Sequence, residues 1–234
     1  MIKCNVTVCG TITRSAQMRT NKDGKAFLAF GVSVVIAAKS GINKTFEISV
    51  AKDGGMDELN SLSSGNRVEL VGVLTFHKKD DTIFLNMSAT GVNTFNAPAE
   101  DSVKGTIEFR GTVGNKIEEK KDKKDKPYLV FSAFSSEKDG EGYSFTWVRF
   151  MHFGQGKPEW MQGKCGIDAK GELQLSIYND RLDITCRVAE LTQWEKQRTI
   201  ASVVNGIVVS RQLSQNYQQG VETQQNQQEN LQRK

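Results

Sequence analysis

The sequence is poor in the residues that most enzymatic and metal sites need. It has two histidines, His77 and His152, and four cysteines at 4, 9, 165 and 186, with no CxxC pair. Zinc ligation therefore has no adequate donor set, and the cysteines read as small, reduced core residues. No cluster of carboxylates surrounds a histidine or arginine, so a nuclease built on a small barrel lacks its machinery and no catalytic residue is expected. Neither a metal nor a cofactor is expected. No run of about 18 apolar residues exists, which argues against a membrane span. The start, MIKCNVTVCG, alternates polar and apolar residues instead of placing a basic segment before an apolar block. A cytoplasmic location is the resulting expectation.

What is present is a soluble composition with a mild basic excess. Of 234 residues, 38% are hydrophobic and 25% charged, and the formal net charge is +4. This balance permits a polyanionic partner without requiring one.

The chain contains an internal repeat. Displaced by 101 residues, VCGTI (8–12) meets FRGTV (109–113), and KAFLAF (25–30) meets KPYLVF (126–131). The same displacement sets Phe46 over Trp147. A displacement of 99 carries Gly72-Val73-Leu74 onto Gly171-Glu172-Leu173 and IFLNMSA (83–89) onto LDITCRV (182–188). The expected organisation is a first domain at 1–96, a linker at 97–102 and a second domain at 103–194. A C-terminal extension follows at 195–211, then a Gln-rich tail at 212–234.

Within each half the apolar period is that of strands. KAFLAFGVSVV sets Leu28, Phe30, Val32 and Val34 on one face, and Phe27, Ala29, Gly31 and Ser33 on the other. Only MDELNSL (56–62) and the shorter PEWMQG (158–163) suit a helix. Five strands with a short helix between the third and fourth is the order of an OB-fold. The predicted fold is all-β: two tandem five-stranded OB-fold barrels, each with that helix. In TIASVVNGIVVSR (199–211), Asn205-Gly206 between β-branched runs predicts a hairpin, with a helix after Trp194 as the competing reading. The nine glutamines of 212–234 predict disorder.

Over residues 3–95 the first half resembles the bacterial single-stranded DNA-binding protein family. The resemblance rests on Gly10 to Ile12, NKDGKAFLAFGVSV, TFEISV and SSGNRVELVGVL, in that order. The second half resembles the family's third strand through Trp147, Arg149, Phe153 and Gly154. Two such halves resemble the tandem-domain members, in which two chains supply four barrels. The resemblance thus implies single-stranded DNA as partner and a homodimer presenting four OB-folds. The family's acidic tail with an aromatic tip is replaced here by a Gln-rich segment with a basic end, so recruitment through such a tip does not carry over.

An OB-fold holds single strands with a basic groove and aromatic faces. The strand period turns Phe27 and Tyr128 away from the core, as stacking platforms or as cover for an interface between barrels. Val148 and Phe150 inward leaves Trp147, Arg149 and Phe153 outward; the opposite register would bury Arg149 at high cost. Phe46 fits core or binding surface equally. Phe76 stacks a base or caps the barrel, with Lys78 beside it in the hairpin between strands four and five. Arg19, Lys25 and Lys126 add charge from the loops, where KIEEKKDKKDK (116–126) carries six lysines against four acids. The function expected is sequence-tolerant single-stranded DNA binding in replication, recombination or repair. An RNA-binding OB module and a protein-interaction scaffold of OB-folds are the alternatives.

Overall fold

Period-two alternation builds ten strands and one short helix in the computed structural model, which describes residues 1–79, 82–139, 142–154 and 156–195. The strands are β1 (Ile2–Thr20), β2 (Ala26–Ile36), β3 (Lys44–Lys52), β4 (Arg67–Lys79) and β5 (Thr82–Asn93), then β6 (Ser102–Lys121), β7 (Pro127–Asp139), β8 (Gly142–Phe153), β9 (Gly166–Tyr178) and β10 (Arg181–Gln193). A 3-10 helix, Met56–Leu62, lies between β3 and β4. The fold is all-β. The expected C-terminal hairpin and Gln-rich tail lie outside the described residues.

The pairings of the first five strands return to their origin. β1 pairs with β2, β2 with β3, β3 in parallel with β5, β5 with β4, and β4 with β1. β6 to β10 follow the same circuit. A circuit of this kind gives each strand a partner on both sides, which satisfies its backbone.

Register recurs between the halves as the sequence repeat predicts. Val6 faces Gly72 and Ile107 faces Gly171; Met18 faces Leu28 and Glu119 faces Leu129; Leu74 faces Met87 and Leu173 faces Cys186. The paired glycines have a shared cause. A Cβ on Gly72 would lie 2.2 Å from the Ser88 carbonyl oxygen, and one on Gly171 would lie 2.1 Å from that of Arg187.

The third strand breaks the rule. Phe30 faces Val50, but Phe131 faces Phe150, so the second hairpin is one residue shorter than the first. A one-residue slip turns every side chain to the other face. Trp147 therefore corresponds to Glu47 and not to Phe46, and Arg149 corresponds to Ser49. The helix expected in the second half is also replaced. Residues 158–165 form two turns, closed by Met161 N–H to Pro158 O at 3.0 Å and Cys165 N–H to Gln162 O at 3.2 Å. Pro158 and Gly163 bracket too few residues to propagate a helix. Met161 nonetheless fills the core as Leu62 does in the first half, both being 1% exposed.

The halves are joined by a ladder. β1 and β6 run antiparallel from Ile2 opposite Phe109 to Cys9 opposite Ser102, and the register is symmetric about Asn5 opposite Thr106. Asn5 and Thr106 are also equivalent residues of the repeat, so each half offers the other the same strand segment. The inner faces merge into one core that includes Ile2, Cys4, Ile107 and Cys186. Burial pushes the Cys4 and Cys186 thiols up to about 12, leaving both protonated and unreactive. Residues 94–101, which connect β5 to β6, are pinned by Arg67, which pairs with Asp101 and donates from Nη2 to Pro98 O at 2.7 Å. The turn after β2 crosses to the second half: Ile177 N–H donates to Ala37 O at 3.1 Å, and Lys39 Nζ lies 2.8 Å from Asp183.

Candidate nucleic-acid interface

The outer face of β7 and β8 is a ladder of rings. Leu129, Phe131 and Ala133 of β7 and Val148 and Phe150 of β8 are buried, which turns the alternate residues outward. Tyr128 is thereby opposite Phe153, Val130 opposite Met151, Ser132 opposite Arg149 and Phe134 opposite Trp147. Tyr128 and Phe153 stack at 5.0 Å with planes 17° apart. Phe134 lies 5.0 Å from Trp147 and 5.4 Å from Phe145, so a second aromatic cluster occupies the far end of the strands. Trp147 is 51% exposed, Phe145 44% and Phe153 40%. Cross-strand ring pairs hold these side chains in place while leaving faces and edges to solvent. Gly114 clears the space for the indole, since a Cβ there would lie 3.3 Å from Trp147 Cζ3.

Cations sit between and beside the two clusters. Arg149 lies midway along the row, its guanidinium 5.7 Å above the Tyr178 ring and its Nε 3.7 Å from Asp183. Arg187 lies 5.3 Å above the Phe153 ring and 4.0 Å from Glu172. On β6, Lys116 and Lys120 share Glu118, whose carboxyl their hydrogen bonds push down to about 2. Two ammonium groups on one carboxylate leave a local positive excess next to the Tyr128 end of the row, where Lys120 is opposite Tyr128. Charged fork, lysines and exposed rings together give a surface the groups needed to stack planar rings and pair anions.

The equivalent face of the first half is sparser. Phe27 lines a shallow cleft of about 370 Å³ with Lys25, Lys52 and Asp53. Arg19 is exposed opposite Phe27 across the β1–β2 ladder. Lys25 pairs with Asp53 at 2.5 Å and Lys52 with Glu58 at 2.6 Å, so both ammonium groups are already matched. At the hairpin tips the two halves use one device: Lys25 N–H donates to Asn21 Oδ1, and Lys126 N–H donates to Asp122 Oδ1, each at 2.9 Å. The Lys126 side chain is exposed beyond its turn.

Two expected contacts are corrected. Phe76 is 3% exposed, because β4 continues its alternation through Leu74 and Phe76 to Lys79 instead of opening into a loop. It is core. Phe46 stands on the side of Ile48 and Val50 and packs against the core, as the shifted register of the third strand requires. Lys78 lines a cleft of about 640 Å³ formed with Phe134, Tyr143, Phe145 and Trp147, so a first-half lysine reaches the second-half rings. His152 is buried on the inner side of β8 and takes no place on the surface. Among the described residues no group of three potential metal ligands converges.

Sequence reading missed Phe134, Tyr143, Phe145 and Phe84. The alternation of KPYLVFSAF already sets Phe134 in line with Tyr128. Comparison of the halves concealed it, because its counterpart is Ser33.

No family model matches the sequence. No curated protein matches it either. Solved structures do. The wild-type single-stranded DNA binding protein from Thermus aquaticus is 13% identical at a TM-score of 0.42, covering 84% of this chain and 94% of that one. The protein PriB from Ralstonia solanacearum is 18% identical at 0.31, covering 39% and 98%. The small single-stranded DNA-binding protein from Streptomyces coelicolor is 16% identical at 0.30, covering 40% and 92%.

Proposed function

We propose that the chain is a non-catalytic, cytoplasmic protein that binds single-stranded DNA with little regard for sequence, in replication, recombination or repair. In this reading residues 1–96 and 103–194 are two OB-fold barrels joined by a linker at 97–102. One observation carries it: the exposed row Phe134–Trp147 and Tyr128–Phe153 with Arg149 between the pairs. Unstacked bases lie on the rings, each worth about 1–3 kcal/mol, while Arg149, Arg187 and the lysines of β6 meet phosphates. Duplex DNA has its bases stacked internally and cannot use such a row. A homodimer with four barrels would meet through faces other than the β1–β6 ladder, whose strands already satisfy one another within the chain.

The test is a titration with oligo-dT, the matching oligo-U and a duplex of the same length, at two salt concentrations, following tryptophan fluorescence. The expected result is quenching by oligo-dT, affinity that falls with salt through counterion release, and weak duplex competition. Equal binding of duplex would overturn the proposal. Tighter binding of oligo-U would reassign the row to RNA, which differs at the 2′-hydroxyl.

A further inference from the structure

We infer that a bound single strand leaves the β7–β8 face at its Trp147 end and crosses to the first half over Lys78, with Phe84 as the next stacking surface. The inference rests on the nucleic-acid reading of the Trp147 row, and it assigns a contact to a face that the repeat leaves unmarked. Two clefts carry it. One, about 640 Å³, is formed by the Trp147 cluster and Lys78. The other, about 520 Å³, is formed by Lys44, Lys78, Phe84 and Arg181 together with the rim of β3. Lys78 belongs to both, so the clefts are consecutive and a lysine marks their junction.

The chemistry of the second cleft continues that of the first. Phe84 stands on the outer face of β5 between buried Leu85 and the strand start, and is 48% exposed, close to Trp147 at 51%. A ring so exposed adds little to the core, whereas it offers a base the same platform as the second-half rings. The carboxylates of the cleft are matched: Glu47 lies 3.2 Å from Arg14, and Asp180 lies 3.2 Å from Lys44. A phosphate chain passing Lys78 and Arg181 thus meets no uncompensated anion from these two side chains. The join between the halves also holds the clefts in fixed relation, since Lys44 Nζ donates to Asp180 O at 2.8 Å across it.

The experiment is fluorescence anisotropy with labelled oligo-dT of two lengths, about 8 nucleotides for one face and about 25 for a crossing strand. The full chain is used as wild type and as Phe84→Ala, Lys78→Gln and Trp147→Ala. Trp147→Ala is expected to weaken both oligonucleotides. Phe84→Ala is expected to weaken the long one about fivefold or more and leave the short one unchanged. Lys78→Gln, which removes the charge and keeps a polar side chain, is expected to weaken the long one and lower its salt slope by about 1. If Phe84→Ala and Lys78→Gln both bind the long oligonucleotide like wild type while Trp147→Ala does not, the crossing is overturned and the proposed function stands. If Phe84→Ala weakens both lengths equally, Phe84 acts through the fold and the crossing is again overturned. Wild-type binding of both lengths by Trp147→Ala overturns the nucleic-acid reading itself, and the crossing with it.

Discussion

Arg149 lies 3.7 Å from one oxygen of Asp183, whose other oxygen is held by Lys39 at 2.8 Å. Lys39 comes from the first half, in the turn that pairs with Ile177, and Asp183 is mostly buried. The shorter contact satisfies the carboxylate, so the guanidinium in the middle of the aromatic row keeps hydrogen-bonding capacity for a phosphate. The junction between the halves thereby sets the electrostatics of the proposed binding face.

Removing Lys39 should turn Asp183 toward Arg149. Lys39→Met is expected to weaken oligo-dT binding about two- to fivefold although Lys39 touches no ring of the row, in keeping with the modest worth of partly exposed ion pairs. Asp183→Asn should tighten binding by a similar factor. Because Lys39 acts through that carboxylate, the double variant should bind as tightly as Asp183→Asn alone, a coupling that anisotropy titrations of the four proteins measure as a mutant cycle. A double variant near wild type, the sum of the two opposed effects, would leave Arg149 without the linkage described.

Trp147 and Phe76 should separate binding from stability. Trp147 is half exposed, so Trp147→Ala should cost about 1–3 kcal/mol of oligo-dT affinity with a small change in melting temperature. Phe76 is core, so Phe76→Ala should cost about 3–5 kcal/mol of stability. Urea denaturation and anisotropy titrations with labelled oligo-dT on the two variants give the comparison. A Phe76→Ala protein as stable as wild type would return that ring to the surface.

Much of this was legible in the sequence, for reasons that can be named. Leu28, Phe30, Leu129 and Phe131 alternate with outward residues over enough positions to fix their face. The glycines at 72 and 171 mark where two backbones close to within a Cβ of each other. The third strand was half legible. Val148 and Phe150 determine the outward row in their own strand, but displacing that row by 101 residues onto Phe46 assumes a hairpin of constant length. A one-residue difference reverses the face, and no periodicity within either strand records it. Phe76 is core although HKKDD has the composition of a loop, because the strand runs on to Lys79. The β1–β6 ladder was not legible at all: strand pairing across a hundred residues leaves no local pattern, and only Gly105 hints at it.

Gly105 should be intolerant of a side chain. It faces Val6 in the ladder between the halves, and a Cβ there would lie 2.0 Å from the Asn5 carbonyl oxygen. The obstacle is backbone on the strand that carries the symmetry point of the join, so relief requires the ladder to open. Gly105→Ala is expected to destabilise the protein by about 1–3 kcal/mol, read as a lower urea midpoint. A Cβ on Gly156 would meet nothing within 4 Å among the described residues, and Gly156→Ala serves as the neutral control.

His152 gives the fold a defined pH dependence. The ring is buried, its Nδ1 has no hydrogen-bond partner among the described residues, and desolvation lowers its pKa below the ordinary 6.5. The folded protein therefore holds the neutral imidazole over a range in which the unfolded chain is already protonated. In that window the unfolded state binds more protons, so stability rises with pH. The contribution is complete above about 6.5, the unfolded value, and is lost as pH falls toward the depressed folded value. Urea midpoints at pH 7.5 and at successively lower pH, with carboxylate effects removed by comparison with His152→Gln, should show a fall in the wild type that the variant lacks. Parallel curves for the two proteins would mean that His152 is protonated in the folded state as readily as in the unfolded chain, and the burial argument for its neutrality would fail.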